Sequence, residues 1–281
     1  HTGYSIARRF SHVQYRGASL PELVDEGRAA LELLARIGDP TNVQFIEPRL
    51  RLIDWLRGER RYGNTLGSAE HDEAAWTAII AARGNRSFEH DWRRLLAMQR
   101  YHAGAFEEAY ELARVSNELV PYSAGFVTRG EQSLFLALAI TAIYGAADPA
   151  RRATLDAELA ANRALLREWG AGCPENYGHL HLLVEAEAAR IRGARIEAAD
   201  LYDRAIHAAR DEGFINVEAL AAELAARFWF ADNKPDFGRL YLEKALHGYE
   251  IWGAQGKVAD LRAQHGLAPP RAAASPTSAG S

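Results

Sequence analysis

The sequence predicts an all-α protein, a right-handed solenoid of about six degenerate helical hairpins, and three observations carry that prediction. Ala, Leu, Arg and Glu, all good helix formers, dominate nearly everywhere, and alternating runs of β-branched residues are absent. Apolar residues recur at spacings of three and four, the period of an amphipathic helix. Turn signals at Gly17, Gly58, Gly104, Gly145, Gly193 and Asn233 stand 41, 46, 41, 48 and 40 residues apart. A helix–turn–helix unit repeated at roughly 40 residues is the signature of stacked hairpins.

Taken along the chain, each turn signal is followed by a second helical run. "SLPELVDEG" follows Gly17 and "AFEEAYELA" follows Gly104. The apolar run "LFLALAITAIYG" (134–145) is too short for a bilayer core of ~30 Å and is expected as a buried helix. "DPARRATLDAELA" follows Gly145, "RIEAADLYDRA" follows Gly193, and "KPDFGRLYLEKA" follows Asn233. Pro21, Pro149 and Pro235 fall near first-turn positions, where a missing N–H costs nothing. In 198–210, Leu201, Tyr202, Ala205, Ile206 and Ala209 share a face; in 218–230, Leu220, Leu224 and Phe228 lie on one stripe and Ala221 and Ala225 on its neighbour. Residues 1–264 are therefore expected to form one helical-repeat domain. The Pro-, Ala- and Ser-rich end, 265–281, lacks bulky apolar residues after Leu267 and is expected as a linker or disordered tail.

The offsets inside the repeats resemble the tetratricopeptide pattern. Ala198, Tyr202 and Ala205 stand 5, 9 and 12 residues after Gly193, and Ala109, Ala113 and Pro121 stand 5, 9 and 17 after Gly104. Gly58 and Gly145 match only at the turn, which leaves an irregular helical bundle as the alternative. In an elongated stack, the first helix of each hairpin would line an open concave face. Aligning by turns puts Asp91, Arg94 and Tyr101 there, with Glu187 and Arg190, then Glu223 and Arg227. Arginine forks and tyrosine faces suit recognition of a partner. The competing expectation is that these charges pair with one another across adjacent helices.

Composition excludes several function classes. A formal net charge of −4 gives no electrostatic footprint for nucleic acid, and the local basic set Arg49, Arg51, Arg57, Arg60 and Arg61 reads as a solvated helix face. One cysteine cannot make an internal disulfide. The opening "HTGYSIARRF" has neither methionine nor the pattern of a signal peptide, so a segment of a longer cytoplasmic chain is expected, with no membrane span.

The stretch "GCPENYGHLHLLVEAEAAR" (172–190) is the strongest candidate for chemistry, because Cys173 precedes His179 and His181. Pro174 and Glu175 mark a helix start there, and the helix is expected to run to Arg192. Two residues apart on a helix, the histidines lie about 200° apart and cannot chelate one metal together. A thiol at a helix N-terminus can be activated, but no spacing supplies it with a base. No phosphate-binding loop, G-x-S-x-G, H-E-x-x-H or kinase signature occurs. The reading is a non-enzyme without metal or cofactor.

The runs "CPENY" (173–177), "LLVEAEAARIRG", "YDRAI", "EALAAELAARFW" and "YEIWGAQGKVADL" (249–261) together resemble the helical-repeat region of very large bacterial signalling proteins. In that family a serine/threonine-kinase-like domain and an AAA/STAND-type ATPase precede the repeats, and a GAF sensor with a histidine kinase or other output module follows. The resemblance is strong over 160–265 and looser upstream, at "DEAAW" and "YHAGAFEEA". It implies a non-catalytic regulatory or interaction module that binds a protein, peptide or effector, or contacts neighbouring domains of its own chain. A passive spacer is the second reading, and a helical enzyme using Cys173, His179 or His181 the third.

Overall fold

The computed structural model describes residues 2–59, 65–67, 72–123 and 127–268. Residues 269–281, most of the expected tail, lie outside that set, as do Arg60 and Arg61. Among the described residues the chain forms thirteen α-helices and no strand. They are α1 (Thr2–Tyr15), α2 (Leu20–Arg36), α3 (Pro40–Arg57), α4 (Glu73–Ala82), α5 (Arg86–His102), α6 (Phe106–Glu118) and α7 (Arg129–Ile143). The second half holds α8 (Pro149–Gly172), α9 (Pro174–Ile191), α10 (Arg195–Asp211), α11 (Ile215–Ala231), α12 (Pro235–Trp252) and α13 (Gln255–Gln264).

Local chemistry sets the helix ends. Asp39, Asp72, Asn85 and Asp148 accept a hydrogen bond from a first-turn amide through their side chains, as does Ser19. Pro21, Pro149, Pro174 and Pro235 occupy first-turn positions as expected. Five of the six anticipated turn residues, Gly17, Gly58, Gly104, Gly193 and Asn233, adopt the left-handed conformation. Gly145 does not; it sits in a short 3-10 turn, Tyr144–Ala146, that carries the chain from α7 to α8. Among the described residues the next helix after Gly58 begins at Glu73, and most of the stretch between them lies outside the described set.

The helices make two layers. Consecutive helices pack from α5 to α12, and the odd-numbered helices also touch in order: α1 with α3, α3 with α5, α5 with α7, α7 with α9, and α9 with α11. The odd set is the inner layer. Thirteen of the fifteen residues of α7 are buried, whereas the outer α8 buries four of twenty-four. The apolar run 134–145 thus lies at the centre of the core.

The inner layer does not stay open. Helix α13 packs on α3, which brings the last described helix onto one of the first. The Trp252 indole N–H donates to the Ala18 carbonyl at 3.1 Å, and the Tyr15 hydroxyl donates to the Asn176 carbonyl at 2.8 Å. The Tyr15 ring meets Phe214 edge-on at 5.4 Å, and Arg16 reaches the Glu212 carbonyl. An open, elongated array was expected; instead α1 and α3 fill much of the surface that such an array would expose. The physical reason is apolar. Phe10, Tyr15, Leu52 and Leu56 are nearly fully buried, and an array open on that side would leave them in water.

This closure has a measurable signature. Gly104 and Gly253 both have left-handed φ, +81° and +88°, but a Cβ at Gly104 would meet open space whereas one at Gly253 would lie 2.6 Å from Pro21 Cδ. Gly104→Ala is expected to cost about 1–2 kcal/mol, the penalty of the left-handed conformation alone. Gly253→Ala should cost clearly more in urea denaturation, because it also pushes the two ends apart; equal costs would show that the ends do not meet.

Candidate functional site

The cysteine–histidine stretch spans the joint of α8 with α9. Cys173 joins α8 to α9, its amide donates to the Trp169 carbonyl at 2.8 Å, and its Sγ accepts from Asn176 Nδ2 at 2.9 Å. His179 points the other way, fully buried, its ring 4.1 Å from that of Phe214. Neither of its ring nitrogens has a hydrogen-bond partner, and burial, with Arg16 nearby, lowers its pKa to about 4. His181 is half-buried beside Glu185 at 3.9 Å. The three side chains do not converge, and among the described residues no group of His, Cys, Asp or Glu is arranged to hold a metal ion.

Asp91 and Arg94 lie elsewhere than expected. Both are buried, Arg94 to 1% exposure, in a chain of charges that joins three helices. Arg49 of α3 grips Asp91 of α5 with both terminal nitrogens, Arg94 donates to Asp91 at 2.8 Å, and Arg94 donates to Glu131 of α7 at 2.6 Å. Burial drives the Asp91 carboxyl upward, yet the two guanidinium groups hold it below the usual range; Glu131, where burial prevails over the same two arginines, is raised. Arg49, read from sequence as part of a solvated basic face, is 1% exposed. Its spacing from Ile46, Leu52, Ile53 and Leu56 puts it in phase with an apolar stripe, and that phase was the available signal.

The other five candidates do come together. Tyr101 near the end of α5, Glu187 and Arg190 near the end of α9, and Arg227 near the end of α11 line one cleft of about 380 Å³, with Phe106, Ala142, Leu224, Phe228, Ala231 and Asp232. Glu223 lies beneath it, bonded to Arg227. The arrangement has two similar halves. Glu187 accepts from Arg190 Nε at 3.1 Å, from the Thr141 hydroxyl at 2.9 Å and from the Tyr202 hydroxyl. Glu223 accepts from Arg227, from Tyr249 at 2.7 Å and from Lys257 Nζ at 3.0 Å. Burial opposes ionisation of Glu223, but Lys257 and Arg227 outweigh it and lower its pKa to about 2.

Lys257 was not anticipated. It is 1% exposed, its ammonium also donates to the His102 carbonyl at 3.1 Å, and burial lowers its pKa against the pull of Glu223. Its sequence signal was weak: one lysine one residue before Val258 and four before Leu261, in a helix with little amphipathic pattern. The expected pairing among charges is also present, since Arg190 and Arg227 each hold a carboxylate on their own helix. Both arginine side chains nevertheless stay about one-third open to the cleft, at 32% and 35%.

No protein-family model matches the chain, and no curated protein or solved structure is significantly similar to it. No helix among the described residues is long and apolar enough to cross a membrane.

Two stability measurements test these assignments. Asp91→Ala strips Arg49 of its carboxylate in the interior, leaves Arg94 with Glu131 alone, and should cost about 3–5 kcal/mol in urea denaturation. Arg114→Ala, which removes surface pairs to Glu111 and Glu118, should cost under about 1 kcal/mol. For His179, the folded pKa of about 4 lies below the unfolded value of ~6.5. Its contribution is therefore complete above ~6.5 and is lost as pH falls toward 4, by up to about 3 kcal/mol. His179→Leu should flatten that limb of the stability–pH curve; an unchanged slope would remove His179 from the account.

Proposed function

We propose that the chain is a non-catalytic helical-repeat module, a right-handed α-solenoid of about six degenerate tetratricopeptide-like hairpins, within a multidomain cytoplasmic signalling protein of bacteria. Its neighbours in that chain would be the ATPase or kinase domains that the motif runs at 173–177 and 249–261 imply. Its task is regulatory: to bind a protein, peptide or effector on the inner face, or to contact a neighbouring domain, and to transmit occupancy through the packed helices.

One observation carries the reading. Side chains from three separate helices, Tyr101, Arg190 and Arg227, meet in a single cleft at the same end of the inner layer. Apolar surface beside it supports contact with other domains. Ile196 is 89% exposed, it lines a groove with Trp229, and the Trp229 ring lies 4.9 Å from that of the half-exposed Phe237.

The test is the reading frame that encodes this chain. A nucleotide-binding ATPase encoded upstream and a sensor domain downstream are the expected result. A frame that encodes the repeats with neither neighbour would overturn the signalling context.

A further inference from the structure

The cleft at Tyr101 presents donors and hides acceptors, and that asymmetry identifies what it takes. Both carboxylates near it are consumed from below, Glu187 by Arg190, Thr141 and Tyr202, and Glu223 by Arg227, Tyr249 and Lys257. At the rim, Asp232 is paired with Arg195. The helix C-termini that form the mouth would ordinarily add free carbonyls and negative dipole ends. Here turn amides close them: Gly104 and Ala105 donate to the carbonyls of Tyr101 and Arg100, and Gly193 and Ala194 to those of Arg190 and Ala189. Asn233 and Lys234 do the same at Phe230 and Trp229.

What remains unspent is donor capacity. Arg227 gives one terminal nitrogen to Glu223 and keeps about one-third of its side chain open. Arg190 spends Nε and one terminal nitrogen on Glu187 and the Thr141 carbonyl. Tyr101 is 2% exposed and lines the cleft, yet its hydroxyl has no hydrogen-bond partner among the described residues. A phenol that lines the cleft can donate to a ligand acceptor there. The remaining wall is apolar: Phe106, Ala142, Leu224, Phe228 and Ala231.

Size settles the class. A volume of about 380 Å³ is that of a small-molecule site, and its lining falls within a few side chains of Tyr101. We infer that the cleft binds a small organic carboxylate with an apolar body. The carboxylate meets Arg227, Arg190 and the Tyr101 hydroxyl, and the body packs on Phe106, Leu224 and Phe228. This rests on the module reading above and gives the effector its chemistry.

The experiment is calorimetric titration of the full chain with phenylacetate, indole-3-acetate and hexanoate, and with phenylacetamide and inorganic phosphate as controls. At least one carboxylate should saturate with a Kd of about 1 mM or tighter, and phenylacetamide should bind at least about tenfold more weakly. Tyr101→Phe removes no protein hydrogen bond, so the fold is retained, and affinity should fall about threefold to tenfold. Arg227→Gln leaves Glu223 with Lys257 and Tyr249, and should weaken binding by about tenfold or more. No saturable carboxylate, equal binding of the amide, equal binding of phosphate, or wild-type affinity in both variants would each overturn the inference. None of those outcomes bears on which domains flank the repeats, so the module reading stands or falls separately.

Discussion

Closure of the inner layer governs what every polar side chain that faces it must do. Helices α3, α5, α7, α9 and α11 touch in sequence, and α13 returns to α3, so their facing surfaces enclose an interior from which water is largely excluded. A carboxylate placed there costs several kcal/mol unless donors surround it. Four are placed there, Asp91, Glu131, Glu187 and Glu223, and each is held by at least one guanidinium. These pairs do not add much net stability, because the cost of taking them from water offsets most of the attraction. Their effect is on specificity. Arg49 can satisfy Asp91 only when α3 lies against α5, and Lys257 can satisfy Glu223 only when α13 sits where its side chain reaches α11.

Close approach is the second requirement of that closure, and small residues supply it. A Cβ on Gly248 of α12 would stand 2.9 Å from the Cβ of Ala219 on α11, which is why those two helices pack so intimately. Where the ends of the chain meet, Gly58 faces Gly256 with only 3.0 Å between an added Cβ and the Gly256 Cα. The alanine-rich composition is thus more than helix propensity; it sets the distance between axes. Large side chains then fill what remains: Trp55, Trp92 and Tyr249 are at most 1% exposed.

The helical class, the burial of 134–145 and most turns were legible in the sequence because each depends on neighbours three, four or a few residues away. The turn at Gly145 was not, since a 3-10 turn and a left-handed cap look alike in a string of letters. Closure was also illegible. Nothing local in α1 announces that Tyr15 will meet Asn176, 161 residues on. The site shows the same division. Aligning by turns put seven residues on one face, and four of them, Tyr101, Glu187, Arg190 and Arg227, line the cleft. It failed at Asp91 and Arg94, which lie two turns or more before Tyr101, deep enough for α3 to cover them. Alignment gives height along a helix, whereas coverage depends on which helix returns.

Glu223 links these two themes. One of its oxygens meets Arg227 at the cleft and also Lys257, which reaches across to the His102 carbonyl at the end of α5. The other meets Tyr249 of α12. The group that fixes an arginine at the mouth is therefore the group that ties α13 into the ring.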